Sequence, residues 1–198
     1  MKLGNVVKSN SHCDYIVEVD DVLAVNHPPD PDGYGFGSFV KLETSERHWA
    51  VGLIYNSQLF NPAYLNSGPR LTSKADAFFT PDLIQETRTL LWTVLIGTLV
   101  QDDDCTYGTH GIPLVVVPVN TNSYCMSEGE VHDFHRNSEG QTQFCYYAHL
   151  MNSTGTLAGQ LLEQVLTQVI PLFDGTDRKA LDILRKEVLW KQTIGMMR

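Results

Sequence analysis

Histidine pairs, acidic runs and glycine-flanked loops are the places where this chain could hold chemistry. His132 and His135 stand three apart with Asp133 between them. On a helix that spacing puts two imidazoles on one face, an arrangement that can bind a metal. The sequence forces no third ligand near them, and two solvated histidines on a polar helix explain the pair better. Asp102, Asp103 and Asp104 could gather carboxylates around a divalent cation. They lack the alternation, the sixth-position glycine and the closing glutamate of a calcium loop, so a solvated loop that ends a strand is the expected reading. His110, between Gly108 and Gly111, reads as a turn residue. Ser9 and Ser11 with His12 offer a nucleophile and a base on paper, but adjacent positions in an extended strand face opposite ways. A G-x-S-x-G elbow is absent.

The segment from Asn152 to Gln160 follows a plausible strand and opens a helix, as a phosphate-binding loop does. Such a loop needs G-x-x-x-x-G-K-[ST], because the lysine reaches the phosphates and the hydroxyl holds Mg²⁺. Here Gly155 and Gly159 are one residue too close and Gln160 stands where the lysine would be. A helix cap at Thr154 or Thr156 fits the segment better. Cys13, Cys105, Cys125 and Cys145 show no C-x-x-C spacing and read as separate reduced thiols. No catalytic, cofactor-binding or metal-ligating residue is assigned, and no cofactor is expected.

Composition narrows the field further. The chain of 198 residues is 42% hydrophobic and 19% charged, an ordinary globular balance. Its net charge is -9, from 14 basic against 23 acidic side chains, and no basic run exceeds two residues. Direct binding to a nucleic-acid backbone needs clustered Lys and Arg, so it is not expected. Residues 90–100 are apolar but fall far short of the ~20 residues of a spanning helix, and the start of the chain turns polar at once. A cytoplasmic location away from the membrane is expected.

The elements that must position these residues are short strands followed by helices. Strands are expected at residues 3–9 and 14–19, where Tyr15, Val17 and Val19 alternate with polar neighbours. Residues 27–35 hold three prolines and two glycines and must be loop. Residues 36–43 and 48–55 flank a polar turn at 44–46 and read as a hairpin, with Val51 and Leu53 on its inward face. Residues 61–73 read as loop. Thr80 and Pro81 start a short helix, residues 88–100 form a strand, and two prolines keep residues 112–119 extended. Ser127 and Glu130 form a capping box for a helix over 128–136. Residues 143–150 alternate like one more strand. From Thr156, Leu157, Leu161, Leu162, Val165, Val169, Ile170 and Phe173 recur at helical period. After Asp174 and Gly175 a second helix runs over 177–193, with Leu181, Leu184 and Val188 along one side.

The order of these strands resembles the HerA–ATP synthase (HAS) barrel family. The residues that carry the resemblance are Gly4-Asn5-Val6-Val7-Lys8-Ser9-Asn10-Ser11, then Gly37-Ser38-Phe39-Val40, then Val51-Gly52-Leu53-Ile54, then Leu95-Ile96-Gly97-Thr98-Leu99. A proline-containing segment from Pro113 and a helix from Ser127 follow in similar order. The resemblance implies a mainly β, α+β fold: a small closed β-barrel over 1–136, with a strand and two-helix extension over 137–198. It further implies a barrel without the RecA-like ATPase domain, acting as a non-enzymatic adaptor or assembly module. The partner would be a protein, a HerA-like or other ring ATPase, or further copies in a homo-oligomer. Leu161, Val165, Val169, Leu184 and Val188 are the residues expected to make that contact. The alternatives are a small metal-dependent hydrolase built on His132, His135 and Asp102 to Asp104, or a ligand-binding regulatory barrel lidded by residues 28–35.

Because the phosphate-loop lysine is missing, the purified protein is expected to show no ATP hydrolysis above background. Turnover that persists at constant specific activity through further purification would overturn this exclusion.

Overall fold

The computed structural model describes residues 1–22, 24–44, 48–60, 88–102 and 105–196, with the side chains of 192–196 left aside. The loop expected at 61–73, the helix expected from Thr80, the turn residues Ser45 and Glu46, and Asp103 and Asp104 lie outside these residues. The strands are β1 (Lys2–Ser9), β2 (Asp14–Val19), β3 (Phe39–Glu43), β4 (His48–Phe60), β5 (Arg88–Gln101), β6 (Thr106–His110) and β7 (Asn122–Cys125). The α-helices among the described residues are α1 (Glu128–Phe134), α2 (Tyr147–Ser153), α3 (Ala158–Val169) and α4 (Gly175–Met196).

The strands run in the order β2-β1-β7-β3-β4-β5, and β2 also pairs with β5. That last pairing closes an antiparallel barrel of six strands, and β6 lies outside it against β5. The fold is an α+β small barrel with most of its helices toward the C-terminus. Closure matters because an open sheet edge exposes unpaired N–H and C=O groups. β5 carries much of the closure. One of its edges pairs with β4 from Arg88 to Val100. Its other edge is divided: Leu90 to Val94 pair with β2, and Gly97 to Gln101 pair with β6. β1 and β2 approach so closely at Gly4 that a Cβ there would lie 1.9 Å from the Glu18 carbonyl oxygen.

The strands bury apolar side chains on two faces. Leu3, Val6, Tyr15, Val17, Val40, Leu42, Ile54, Leu91 and Leu95 form one cluster. Drawn from strands all around the closed barrel, that cluster is its interior. Phe39, Val51, Leu53, Val94, Ile96 and Leu99 form a second cluster together with Val131, Phe134, Leu150, Leu161, Val165, Val169, Leu181 and Val188. It joins the outer wall of β3, β4 and β5 to the helices. β4 and β5 therefore read as near-continuous apolar runs, because both faces are covered.

The C-terminal helices fall where the apolar stripe predicts them, with the break at Asp174 and α4 starting at Gly175. Three expectations need correction. Val51 and Leu53 do share a face, but it is the outer wall under the helices rather than the barrel interior. Residues 143–150 are not a strand: Thr142 makes a single bridge to Arg136, and α2 begins at Tyr147. The alternation there comes from Phe144 and Tyr146, which pack around His135 rather than join the sheet. Leu161, Val165 and Val169 are fully buried and Val188 nearly so, with Leu184 packed against them. The wall of the barrel and α4 cover Leu161, Val165 and Val169, so these three are core residues, while Leu184 on α4 keeps part of its surface exposed.

Each buried Val or Leu in this shared core contributes about 1.5–3 kcal/mol. A carboxylate placed there has no partner and costs several kcal/mol. Val51→Asp on the wall and Val165→Asp on α3 are therefore each expected to abolish the cooperative melt followed by circular dichroism. If either variant melts like the parent, the wall and the helices do not share one core.

Candidate functional site

The histidines gather around α1, and the local sequence explains where each one goes. Ser127 caps the helix: its Oγ accepts from the Glu130 amide, and Glu130 accepts in turn from the Ser127 amide at 2.8 Å. Lys41 of β3 pairs with Glu130 and lies 3.7 Å over the Trp49 ring, which ties α1 to the barrel. Burial alone would raise the Glu130 carboxyl, but hydrogen bonds from Lys41 and Ser127 outweigh it and hold the group below its ordinary range. Val131, Phe134 and His135 follow at i, i+3 and i+4, the spacing of one helix face. That face is buried, so His135 is a core residue. His132 lies off this stripe, stacked on Phe173 with ring centres 4.9 Å apart and with Nδ1 3.1 Å from Asp133. The two histidines thus part, one inward and one to the surface, and do not form a ligand pair.

Both nitrogens of His135 are occupied by the protein. Nδ1 lies 2.7 Å from the Val131 carbonyl, which can only accept, so Nδ1 carries the proton and Nε2 accepts from the Tyr146 hydroxyl at 2.7 Å. His110 is held the same way. Its Nε2 donates to the Phe134 carbonyl at 3.0 Å, and its Nδ1 accepts from the Cys145 amide at 3.2 Å. The two rings stand 5.4 Å apart, walled by Phe39, Phe134, Phe144 and Tyr146. Burial drives the His135 imidazole down to about 3, against the opposing pull of the Val131 carbonyl. Burial likewise drives His110 down to about 4, against the Phe134 carbonyl. Neither ring has a lone pair left for a metal or a free proton site for acid–base work. The cluster is a hydrogen-bonded seam between β6, α1 and the segment leading into α2. At Gly108 this seam is so tight that a Cβ would lie 1.8 Å from the Phe134 oxygen.

The other candidates separate as well. His12 Nε2 bonds the Pro113 carbonyl at 2.7 Å, while Ser11 Oγ accepts from the Cys13 amide. The Thr154 hydroxyl turns back to the Leu150 carbonyl at 2.9 Å, and neither Thr154 nor Thr156 caps a helix through its side chain. Cys105 and Cys145 are exposed, and all four cysteines are free. Among the described residues no three His, Cys, Asp or Glu side chains gather closely enough to hold a metal. No described helix is long and apolar enough to cross a membrane.

What sequence reasoning missed is a ridge. Between β6 and β7 the chain leaves the sheet, and Ile112, Leu114, Val115, Val116 and Val119 stand 55–96% exposed. The ridge is nonetheless pinned. Gly111 donates to the Ile96 carbonyl, Val117 is buried and donates its amide to the Tyr15 hydroxyl at 3.2 Å, and the Asn120 amide reaches the Val6 carbonyl at 2.7 Å. Pro113 and Pro118 have no N–H to add to a ladder. A groove of about 360 Å³ runs beside the ridge, lined by His48, Ala50, Thr98, Val100, Ile112 and Leu114. No Asp, Glu, Lys or Arg occurs from Cys105 to Ser127. An apolar run broken by two prolines was the available signal, since such a run can be neither helix nor central strand. Two further hollows are of a different kind. One, of about 380 Å³, holds Glu18, Asp20 and Arg88, whose charges are neutralised by Arg88–Glu18 and Lys2–Asp20 pairs at 3.2 Å. The other, of about 490 Å³, lies between Phe39, Met126 and Gln168.

The two depressed imidazoles make a signed prediction. Both groups ordinarily titrate near 6.5, so below that pH the unfolded chain takes up protons that the folded chain refuses. Their contribution to stability is complete above pH 6.5 and is lost as pH falls, by up to about 1.4 kcal/mol per pH unit for each ring. The window reaches down to about 4 for His110 and about 3 for His135. The melting temperature is expected to fall between pH 6.5 and pH 5, above the range where carboxylates titrate. His135→Leu should be less stable at neutral pH and show a shallower fall; an equally steep fall would remove the cluster as its source.

A comparison with protein families finds one that spans the whole molecule. The model described as "Domain of unknown function (DUF8166)" matches residues 1–198. No curated protein matches the chain. With its full length inside that match, the chain belongs to the DUF8166 family.

Proposed function

We propose that this chain is a non-enzymatic assembly module that holds a protein partner through the ridge from Ile112 to Val119. The observation that carries the reading is that five large aliphatic side chains stand exposed on a backbone anchored at Gly111, Val117 and Asn120. Clustered exposed apolar side chains mark contact sites, because covering them removes apolar area from water. A pre-ordered ridge loses little conformational freedom when it is covered, which favours a stable contact.

The rest of the molecule supports contact by side chains rather than by strand addition. The barrel is closed, and the outer strand β6 is occupied at its centre. The Gly108 amide donates to the Arg136 carbonyl at 2.8 Å, and the Gly108 carbonyl accepts from Gln143 at 2.8 Å. His110 and His135 are committed to the protein itself, which argues against their use as catalysts. The resemblance of the strand order to HAS barrels names ring ATPases, or other copies of the chain, as the partner classes to examine first. A cytoplasmic setting fits the four free thiols.

A photo-crosslinking residue at Leu114, in cells that make the protein naturally, tests the reading. A polypeptide adduct is expected, and it should disappear when Val116→Asp is added. The absence of any polypeptide adduct from Leu114 would overturn the assembly role.

A further inference from the structure

We infer that the ridge is covered by a second copy of this chain, the two ridges and grooves meeting about a two-fold axis. The inference rests on the assembly reading and adds its occupant. Three observations point to it. The first is shape. A two-fold contact requires one patch to carry both a projection and its recess. Leu114, 96% exposed, stands at the rim of the groove that it shares with His48, Ala50, Thr98 and Val100. Under a two-fold rotation the projection of each copy comes opposite the recess of the other. The groove volume of about 360 Å³ accommodates Leu114 together with a neighbouring aliphatic side chain.

The second observation is charge. The chain carries -9, which disfavours contact between copies at most of its surface. The stretch from Cys105 to Ser127 has no ionisable carboxylate or cationic side chain. A contact built on it sets no like charges face to face. A basic partner chosen by charge complementarity would have to be met by carboxylates, and this ridge offers none. The third observation is area. Ile112, Leu114 and Val115 stand 55%, 96% and 61% exposed around one groove, and together they expose roughly 400 Å², within the range of a monomer's largest and often functional apolar patch. That is about half of the roughly 800 Å² that each partner gives to a standard interface, which fits a monomer–dimer equilibrium rather than a permanent dimer.

The test is sedimentation velocity on the full chain, from low to high micromolar concentration and at low and high salt, read beside the Leu114 crosslink. A monomer–dimer equilibrium is expected. It should shift toward dimer as salt screens the net negative charge, the opposite of what a charge-matched contact would do. Leu114→Asp should weaken the dimer at least tenfold while leaving the circular dichroism spectrum and melt unchanged, because the side chain is exposed in the monomer. Thr98→Phe, which fills the groove from below, should weaken it likewise and supplies an independent second variant. A dimer indifferent to both substitutions overturns the inference. So does a strict monomer whose Leu114 crosslinks to a different polypeptide, a result that leaves the assembly role standing. A strict monomer with no polypeptide adduct, or only a lipid adduct, overturns the inference and the assembly role together.

Discussion

Closure of the barrel by the pairing of β2 with β5 is the constraint on which the rest depends. Without it, Asp14 to Glu18 and Leu90 to Val94 would each present an open edge. With it, the sheet has a filled interior and a separate outer wall. The length of β5 makes this possible, since fourteen residues allow one strand to serve β4 along one side and both β2 and β6 along the other. The outer wall of β3, β4 and β5 is then as apolar as the interior, and it must be covered. The C-terminal helices cover it. The molecule is thus two hydrophobic layers sharing one sheet, and the helices are as much a part of it as the strands.

The histidine cluster is the polar counterpart of that arrangement. Where α1 leaves the wall, its last carbonyls must find donors, and His110, Gly108 and Gln143 answer around Phe134 and Arg136. Holding one buried and one half-buried imidazole here is tolerable because each of their four nitrogens has a partner; an unpaired one would cost about 1–3 kcal/mol. The outcome is a seam fixed in both geometry and tautomer. Functional possibilities consequently move away from the residues with the most chemistry and toward the surface with the least.

Much of this fold was legible in the sequence, and the failures have identifiable causes. β1 to β5 were readable because their β-branched and aromatic residues sit between strong breakers. The capping box at Ser127 and the stripe from Leu161 to Val169 were readable because both are local patterns. β6, with Thr106, Tyr107, Gly108, Thr109 and His110, has no apolar face of its own and escaped notice. β7 is short and polar too, with Ser123 as its buried residue, and offers no apolar alternation. The role of His135 was obscured because a histidine on a short helix next to Asp133 looks solvated until Val131 and Phe134 are counted on its face. Which surface covers the helical stripe is a tertiary fact. Periodicity shows that a face is buried without saying against what, and here the answer was the chain's own barrel rather than a partner.

The pairing of β1 with β7 has a consequence for the order in which the molecule can be made. Lys2 lies opposite Tyr124, and Gly4 opposite Ser123, so the first strand waits for one more than a hundred residues later. A ribosome adding roughly 5–20 residues per second leaves that edge unpaired for many seconds. The apolar wall on β4 and β5 stays uncovered for longer still, until α3 and α4 emerge. The barrel interior can fill once β7 has emerged, whereas the wall stays adhesive until α3 and α4 follow. The wall, rather than the barrel interior, is therefore the surface that stays open longest to wrong contacts during synthesis.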